Sequence, residues 1–283
     1  MVAKIIDGKQ MASGIIQQIA KQVSKLKDKP CLAFVLVGED SPSMIYANKK
    51  VEDCEKAGMI SKVVRLPASC SMQKLISHVR KLNEDFSVDG IIVQLPLPQH
   101  LDEERVIAEI SPQKDVDGFH PINLGKLVAG NAEIFPCTPK GIVYMLKKSK
   151  IKLEGKHAVI IGRSRIVGKP LALMLLQENC TVTLCHTKTK DLKKHTMQAD
   201  IIVVAAGRPH LLKANMVKKG AIVVDVGINR QKGRIVGDVD FEKVSKKASA
   251  ITPVPGGVGP MTRAMLLENT LQCYFKRRGE NAT

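Results

Sequence analysis

The sequence predicts a two-domain α/β protein, each domain a parallel sheet wound with helices, with a C-terminal helix returning to the first domain. Runs of β-branched residues alternate with stretches of helical periodicity, as strands joined by helical crossovers require. The length of 283 residues suits two domains. A segment crowded with proline and glycine, Thr252-Pro253-Val254-Pro255-Gly256-Gly257-Val258-Gly259-Pro260-Met261, follows the second series and cannot be ordinary helix or strand.

In the first series, strands are expected at 31–37, 62–66 and 90–94, with helices at 42–57, 72–83 and 103–110. The second opens after Leu153-Glu154-Gly155-Lys156, with strands at 157–161, 181–185, 201–205 and 221–226 and a helix at 168–178. The boundary is expected at 136–139. This gives a catalytic domain at 1–137 and a Rossmann-like domain at 138–260, with 261–283 packing back on the first as a helix centred on 262–278.

Composition narrows the function. Hydrophobic residues make up 44% of the chain, enough for real cores, and no apolar run approaches the roughly 18 residues of a membrane span. The first residues lack a signal-peptide pattern, so a cytoplasmic location is expected. Seven scattered cysteines without a C-x-x-C pair argue against a disulfide framework, and neither they nor the seven histidines are spaced as metal ligands. The net charge of +17 invites a nucleic-acid partner, but there is no Trp and there are only three Tyr and six Phe on which bases could stack. The lysines cluster at 147–152, 188–194 and 276–278, where solvated faces explain them. A small-molecule substrate, with no nucleic-acid or membrane partner, is therefore expected.

The second series carries a nucleotide signal, Val159-Ile160-Ile161-Gly162-Arg163-Ser164-Arg165-Ile166-Val167-Gly168-Lys169-Pro170, a strand that ends in a glycine turn and enters a helix. Backbone N–H groups and a helix N-terminus there suit a phosphate. The spacing is G-x-S-x-x-x-G, with Ser164 in place of the middle glycine, and a tight turn that binds nothing would read the same. The next strand closes on Leu184-Cys185-His186-Thr187-Lys188 without the acid that NAD-binding domains place against a ribose 2′-hydroxyl. With Arg163 in the preceding loop, NADP is favoured over NAD.

The first series holds the candidate chemistry. Tyr46 and Lys50, four residues apart, share a helix face where an aromatic plane and an amine could orient a flat ligand, although a core edge beside a solvated lysine fits as well. Gln94 ends a buried-looking strand before Leu95-Pro96-Leu97-Pro98, at the carboxyl end where open α/β sheets bind ligands. Its amide could position the Lys50 amine without holding it charged, as a carboxylate would, and a partly dry site should lower the lysine's proton affinity. In Lys114-Asp115-Val116-Asp117-Gly118-Phe119, one carboxylate can face a site while its neighbour organises the turn, although both could be turn formers.

Tyr46 with Lys50, Gln94-Leu95-Pro96-Leu97-Pro98, Asp115 to Gly118, Pro136-Cys137-Thr138-Pro139-Lys140-Gly141, the 162–170 loop and Pro253 to Pro260 occur in the order found in one family. By these blocks, which span nearly the whole chain, the sequence resembles the bifunctional methylenetetrahydrofolate dehydrogenase/cyclohydrolase family. The resemblance implies NADP-dependent oxidation of 5,10-methylenetetrahydrofolate and hydrolysis of the methenyl product to 10-formyltetrahydrofolate. It implies Lys50 as the acid/base group, supported by Gln94 and Tyr46, with Asp117 on the pterin and Pro255 and Gly256 also holding folate. It places NADP against Gly162, Arg163, Ser164, Ile166, His186, Thr187, Gly227 and Ile228. Thr187 stands where many members have Ser. A homodimer formed through the cofactor domain is also implied. A monofunctional dehydrogenase, another two-domain enzyme acting on a small hydroxy acid, and a basic nucleic-acid binder are the competing readings.

Overall fold

The computed structural model describes residues 3–38, 41–231 and 233–279, and the side chains of residues 41–43, 45 and 46 lie outside that description. Two compact units are formed, one from Ser13–Cys137 with Arg263–Thr283, the other from Met1–Ala12 with Thr138–Thr262. In chain order the elements begin with β1 (Lys4–Ile5), α1 (Gly8–Ser24), β2 (Cys31–Val37), α2 (Ser41–Lys56), β3 (Ile60–Leu66) and α3 (Met72–Glu84). β4 (Gly90–Val93), α4 (Glu103–Glu109), α5 (Pro121–Ala129) and α6 (Cys137–Lys148) follow. The second series is β5 (His157–Ile161), α7 (Gly168–Gln177), β6 (Thr181–Cys185), α8 (Leu192–Thr196), β7 (Ile201–Val204) and β8 (Ile222–Asp225). It closes with β9 (Asn229–Gln231), β10 (Arg234–Val236), α9 (Phe241–Val244), β11 (Ala250–Ile251) and α10 (Val258–Arg277).

In the unit built on residues 13–137, a three-stranded parallel sheet runs in the order β3-β2-β4. β2, Cys-Leu-Ala-Phe-Val-Leu-Val, is buried along all but its last residue, as a central parallel strand covered on both faces must be. Leu75, Val79 and Leu82 of α3 and Val106 of α4 pack against it. The side chain of Ser71 caps the start of α3 by accepting from the N–H of Lys74 at 3.2 Å. At the other end the buried Lys114 ammonium donates to the carbonyls of Leu82, Asn83 and Asp85 at 2.7–2.9 Å, satisfying acceptors that the helix leaves open. This draws residues 114–116 alongside β4: Ile91 N–H donates to Lys114 O at 2.7 Å, and Ile91 pairs with Asp115 in parallel register. Gly90 permits the approach, because a Cβ there would lie 2.4 Å from Val116 Cγ1.

The other unit carries a six-stranded parallel sheet, order β1-β11-β8-β7-β5-β6, and an antiparallel β9–β10 hairpin. Ile161, Cys185, Val204 and Asp225 are brought into register at the carboxyl ends of β5, β6, β7 and β8. The chain steps from β5 outward to β6, then returns to the opposite side of β5 as β7. The crevice beside β5 is thus the switch point where open α/β sheets bind ligands.

Several features differ from the expectation, among them the following. The first twelve residues stand with the second series, because β1 adds to β11 through Lys4↔Ala250 and Ile5↔Ile251. α10 begins at Val258, inside the proline/glycine segment, since Pro260 lies in a first turn whose N–H groups have no intrahelical partners. β4 ends at Val93, although the N–H of Gln94 still reaches Val35 O at 3.0 Å.

Candidate active site

α2 places Lys50 in a buried stripe with Ala47, Cys54 and Ala57, where an apolar residue would be the ordinary occupant. Lys50 is 6% exposed, and its Nζ donates to Gln94 Oε1 at 3.0 Å. The Gln94 amide donates in turn to Leu95 O at 2.7 Å, so its oxygen is directed at the lysine. Burial pushes the Lys50 amine below the usual lysine range; Asp117 and Cys137 pull it back up, and Arg263 lowers it further. Tyr46 lies on α2 one turn earlier, but its side chain is outside the described residues.

The two carboxylates of the 114–119 loop have separate tasks. Asp115 is buried and accepts from the N–H groups of Gly118, Phe119 and His120 at 3.1, 3.3 and 2.8 Å and from Asn123 Nδ2 at 2.8 Å. It organises the turn. Asp117, two residues beyond the pairing of Asp115 with Ile91, is carried toward the end of β4 where Gln94 stands. Its side chain is partly accessible yet crowded by protein, and desolvation pushes its carboxyl up to about 6 against the lowering effect of Lys50. A Cβ at Gly118 would fall 2.7 Å from the Phe135 carbonyl carbon, and φ there is +72°, so glycine is required for the turn.

In the six-stranded unit, the predicted cofactor residues leave one edge of the sheet. Gly162 follows β5 with φ +131°, and a Cβ would meet Ala205 O at 2.2 Å. Gly168 opens α7 where a Cβ would meet Gly162 O at 2.0 Å, so strand end and helix start touch through bare backbone. Ser164 Oγ accepts from the N–H groups of Val167 and Gly168 at 3.1 and 3.4 Å and shapes the turn. Arg163, Ser164, Ile166 and Thr187 are exposed along this edge, and His186 is half-buried at the end of β6. Gly227 and the exposed Ile228 follow β8. These residues form an open cradle with cations and backbone donors, which fits a dinucleotide carrying an added phosphate.

The proline/glycine segment continues from β11 at the same edge. The N–H of Asp225 donates to Thr252 Oγ1 at 2.8 Å, and Gly259 would bring a Cβ within 3.9 Å of Ile228 Cδ1. Pro255 is exposed and Gly256 half-buried, with φ +109° at Gly256. Behind them, Lys9 N–H donates to Gly256 O at 2.8 Å, and a Cβ on Gly8 would lie 1.9 Å from Gly257 O.

Sequence reasoning passed over two carboxylates that hold together the sheet edge where the candidate cofactor residues lie. Asp225 accepts from the N–H groups of Gly227, Asp238 and Val239, each at 2.9 Å. Asp238, fully buried, accepts from the N–H groups of Ala206, Gly207 and Arg208 at 2.7–2.8 Å and from Asn229 Nδ2 at 2.8 Å. An acid closing an apolar strand beside glycine, as in Val224-Asp225-Val226-Gly227, was the available signal. Arg263, which engages Asp53 at 2.6 Å, was also missed, although it is a lone cation early in an apolar helix. Among the described residues, no group of three or more His, Cys, Asp or Glu is placed to hold a metal, and no helix is long and apolar enough to cross a membrane.

Comparison with known proteins shows the family and the fold. Residues 6–117 match the catalytic domain of tetrahydrofolate dehydrogenase/cyclohydrolase, and residues 136–278 match its NAD(P)-binding domain. The chain is 54% identical to the bifunctional protein FolD of Sulfurihydrogenibium sp. over 279 residues, covering 96% of this chain and 98% of that protein. The crystal structure of the bifunctional FolD methylenetetrahydrofolate dehydrogenase/cyclohydrolase of Campylobacter jejuni superposes with a TM-score of 0.96 at 51% identity, covering 97% and 99% of the two chains. The Trypanosoma brucei dehydrogenase-cyclohydrolase, solved with NADP and an inhibitor, gives a TM-score of 0.95 at 37% identity, covering 99% and 100%. The chain belongs to the tetrahydrofolate dehydrogenase/cyclohydrolase family.

Proposed function

We propose that the protein oxidises 5,10-methylenetetrahydrofolate with NADP and hydrolyses the methenyl product to 10-formyltetrahydrofolate, with Lys50 as the acid/base group of the hydrolysis. The observation that carries this reading is a buried lysine amine held at 3.0 Å by a neutral amide and lowered in proton affinity by burial. Such an amine gives up its proton more readily than an ordinary surface lysine.

Bound NADP supplies the hydride acceptor for the first step. The protein's part in that step is to bind and orient, because transfer needs near-contact geometry more than acid or base help. Gly162, Arg163, Ser164, Ile166, His186, Thr187, Gly227 and Ile228 hold the dinucleotide, and Arg163 and Thr187 favour its 2′-phosphate. Pro255 and Gly256 hold folate, and Asp117, ionised above about pH 6, accepts two N–H bonds from the pterin edge.

In the second step water adds to the methenyl carbon. Lys50 takes one proton from the attacking water, leaving a hydroxyl on the carbon. As that hydroxyl gives up its proton and becomes the formyl C=O, the bond from the carbon to the ring nitrogen breaks and the nitrogen takes a proton relayed by Lys50, so that one proton is released overall. Gln94 keeps Lys50 aimed, and Tyr46 supports the substrate. The protein works as a cytoplasmic homodimer, paired through the cofactor unit.

The test is to supply purified protein with 5,10-methylenetetrahydrofolate and NADP and to follow NADPH and 10-formyltetrahydrofolate. Both should form, with NADP preferred over NAD. Absence of NADPH would overturn the reading, and sedimentation that returned only monomers would overturn the dimer.

A further inference from the structure

We propose that Arg263 is a positioning residue for Lys50: by engaging Asp53 it fixes the α2 stripe that carries Lys50 and removes the Asp53 charge from the lysine's surroundings. The proposal rests on the reading of Lys50 as the acid/base group. Its basis is the way charges are sorted on α2.

Asp53 follows Lys50 by three residues, a spacing at which side chains on a helix meet. Both are nearly buried, Lys50 at 6% and Asp53 at 7% exposure. The expected outcome of that spacing is an ion pair between the two, which would hold the lysine charged. It is not what forms. Asp53 Oδ2 takes Arg263 Nε at 2.6 Å, with the arginine side chain 18% exposed, while Lys50 takes the neutral oxygen of Gln94 at 3.0 Å. Lys56 reaches the other oxygen of Asp53 only at 3.8 Å from an exposed position.

A buried carboxylate without a partner is costly, so Asp53 must be matched, and the cation from α10 matches it without recruiting Lys50. Charged and titratable groups that act on Lys50 include Asp117 from the loop beside β4, Cys137 at the start of α6 and Arg263 on α10. The first two favour its charged form and Arg263 opposes it. Arg263 therefore works twice, as a clamp between α10 and α2 and as a positive charge near the amine.

The experiment measures the pH dependence of methenyltetrahydrofolate hydrolysis in the full-length protein for Arg263→Gln, Asp53→Asn, Arg263→Lys and Lys50→Met. The rise in rate with pH marks deprotonation of Lys50. In R263Q the bare Asp53 carboxylate holds Lys50 charged, so the rise should move to higher pH by about one unit, an about tenfold loss at fixed pH on that limb. In D53N the arginine charge is left unbalanced, and the rise should move to lower pH. R263K keeps the charge and should leave the rise in place while lowering the maximal rate. Opposite shifts are a signature that loss of packing alone would not give. If R263Q does not fold, D53N and R263K carry the test by the same signs. Shifts of R263Q and D53N in the same direction, or no shift in D53N, with K50M inactive in hydrolysis would overturn the role of Arg263 and leave that of Lys50 intact. Hydrolysis by K50M at the wild-type rate would overturn both.

Discussion

Gln94 faces Lys50 with its amide oxygen at 3.0 Å and spends its amide nitrogen on Leu95 O at 2.7 Å. Neither contact survives a change to glutamate unaltered. In Gln94→Glu a carboxylate would hold the lysine charged and would offer Leu95 O no donor. Hydrolysis of methenyltetrahydrofolate should fall by about 100-fold. Hydride transfer to NADP should fall less, since it uses no general base. Measuring both steps in one variant checks the difference, and equal losses would contradict it.

Asp117 gives the folate site a pH dependence of stated sign. Its carboxyl is pushed up to about 6 by desolvation, so the ionised form that accepts pterin N–H bonds is present above that pH and is lost as pH falls through it. KM for 5,10-methylenetetrahydrofolate should rise below about pH 6, while KM for NADP should not follow. In Asp117→Asn, KM should be raised throughout and flat across the same range, because no group remains to titrate.

Gly8 supports the proline/glycine wall from behind. A Cβ there would sit 1.9 Å from Gly257 O, and both belong to backbone that cannot yield without moving Gly256. Gly8→Ala should destabilise the protein by about 1–3 kcal/mol, as overpacking does, and should raise KM for folate. Thermal unfolding together with steady-state kinetics checks both effects. A variant with unchanged folate KM would separate Gly8 from the wall.

Asp238 ties the loop after β7 to the hairpin after β8. Asp238→Ala would leave the buried N–H groups of Ala206, Gly207 and Arg208 without an acceptor, at about 1–3 kcal/mol each if none rearranged. A lower melting temperature is expected, with weaker NADP binding by direct titration. The proton exchange of Lys50 should be untouched, so hydrolysis of added methenyltetrahydrofolate should persist in the folded fraction.

Strands such as β2 and β5 were legible because both faces of a parallel strand are buried and a nearly uninterrupted apolar run records that. β1 and β11 were not, since each has two residues and takes its place only from pairing with a distant segment. The helix α1 is capped by Asp7, whose Oδ1 accepts from Gln10 N–H at 2.9 Å, a start signal that the sequence reading passed over. At the site, Lys50 and Gln94 could be picked out by their positions on a helix and a strand end. The pairing of Arg263 with Asp53 spans 210 residues, and no local pattern encodes it. The separate tasks of Asp115 and Asp117 became readable only when the backbone N–H groups around Asp115 were in place.

The most direct measurement follows wild type and Lys50→Met with 5,10-methylenetetrahydrofolate and NADP, recording NADPH at one wavelength and the methenyl compound at another. If Lys50 exchanges the proton of the attacking water, the variant still forms NADPH and accumulates methenyltetrahydrofolate. A variant that clears methenyltetrahydrofolate as fast as wild type would show that the buried lysine is not the acid/base group.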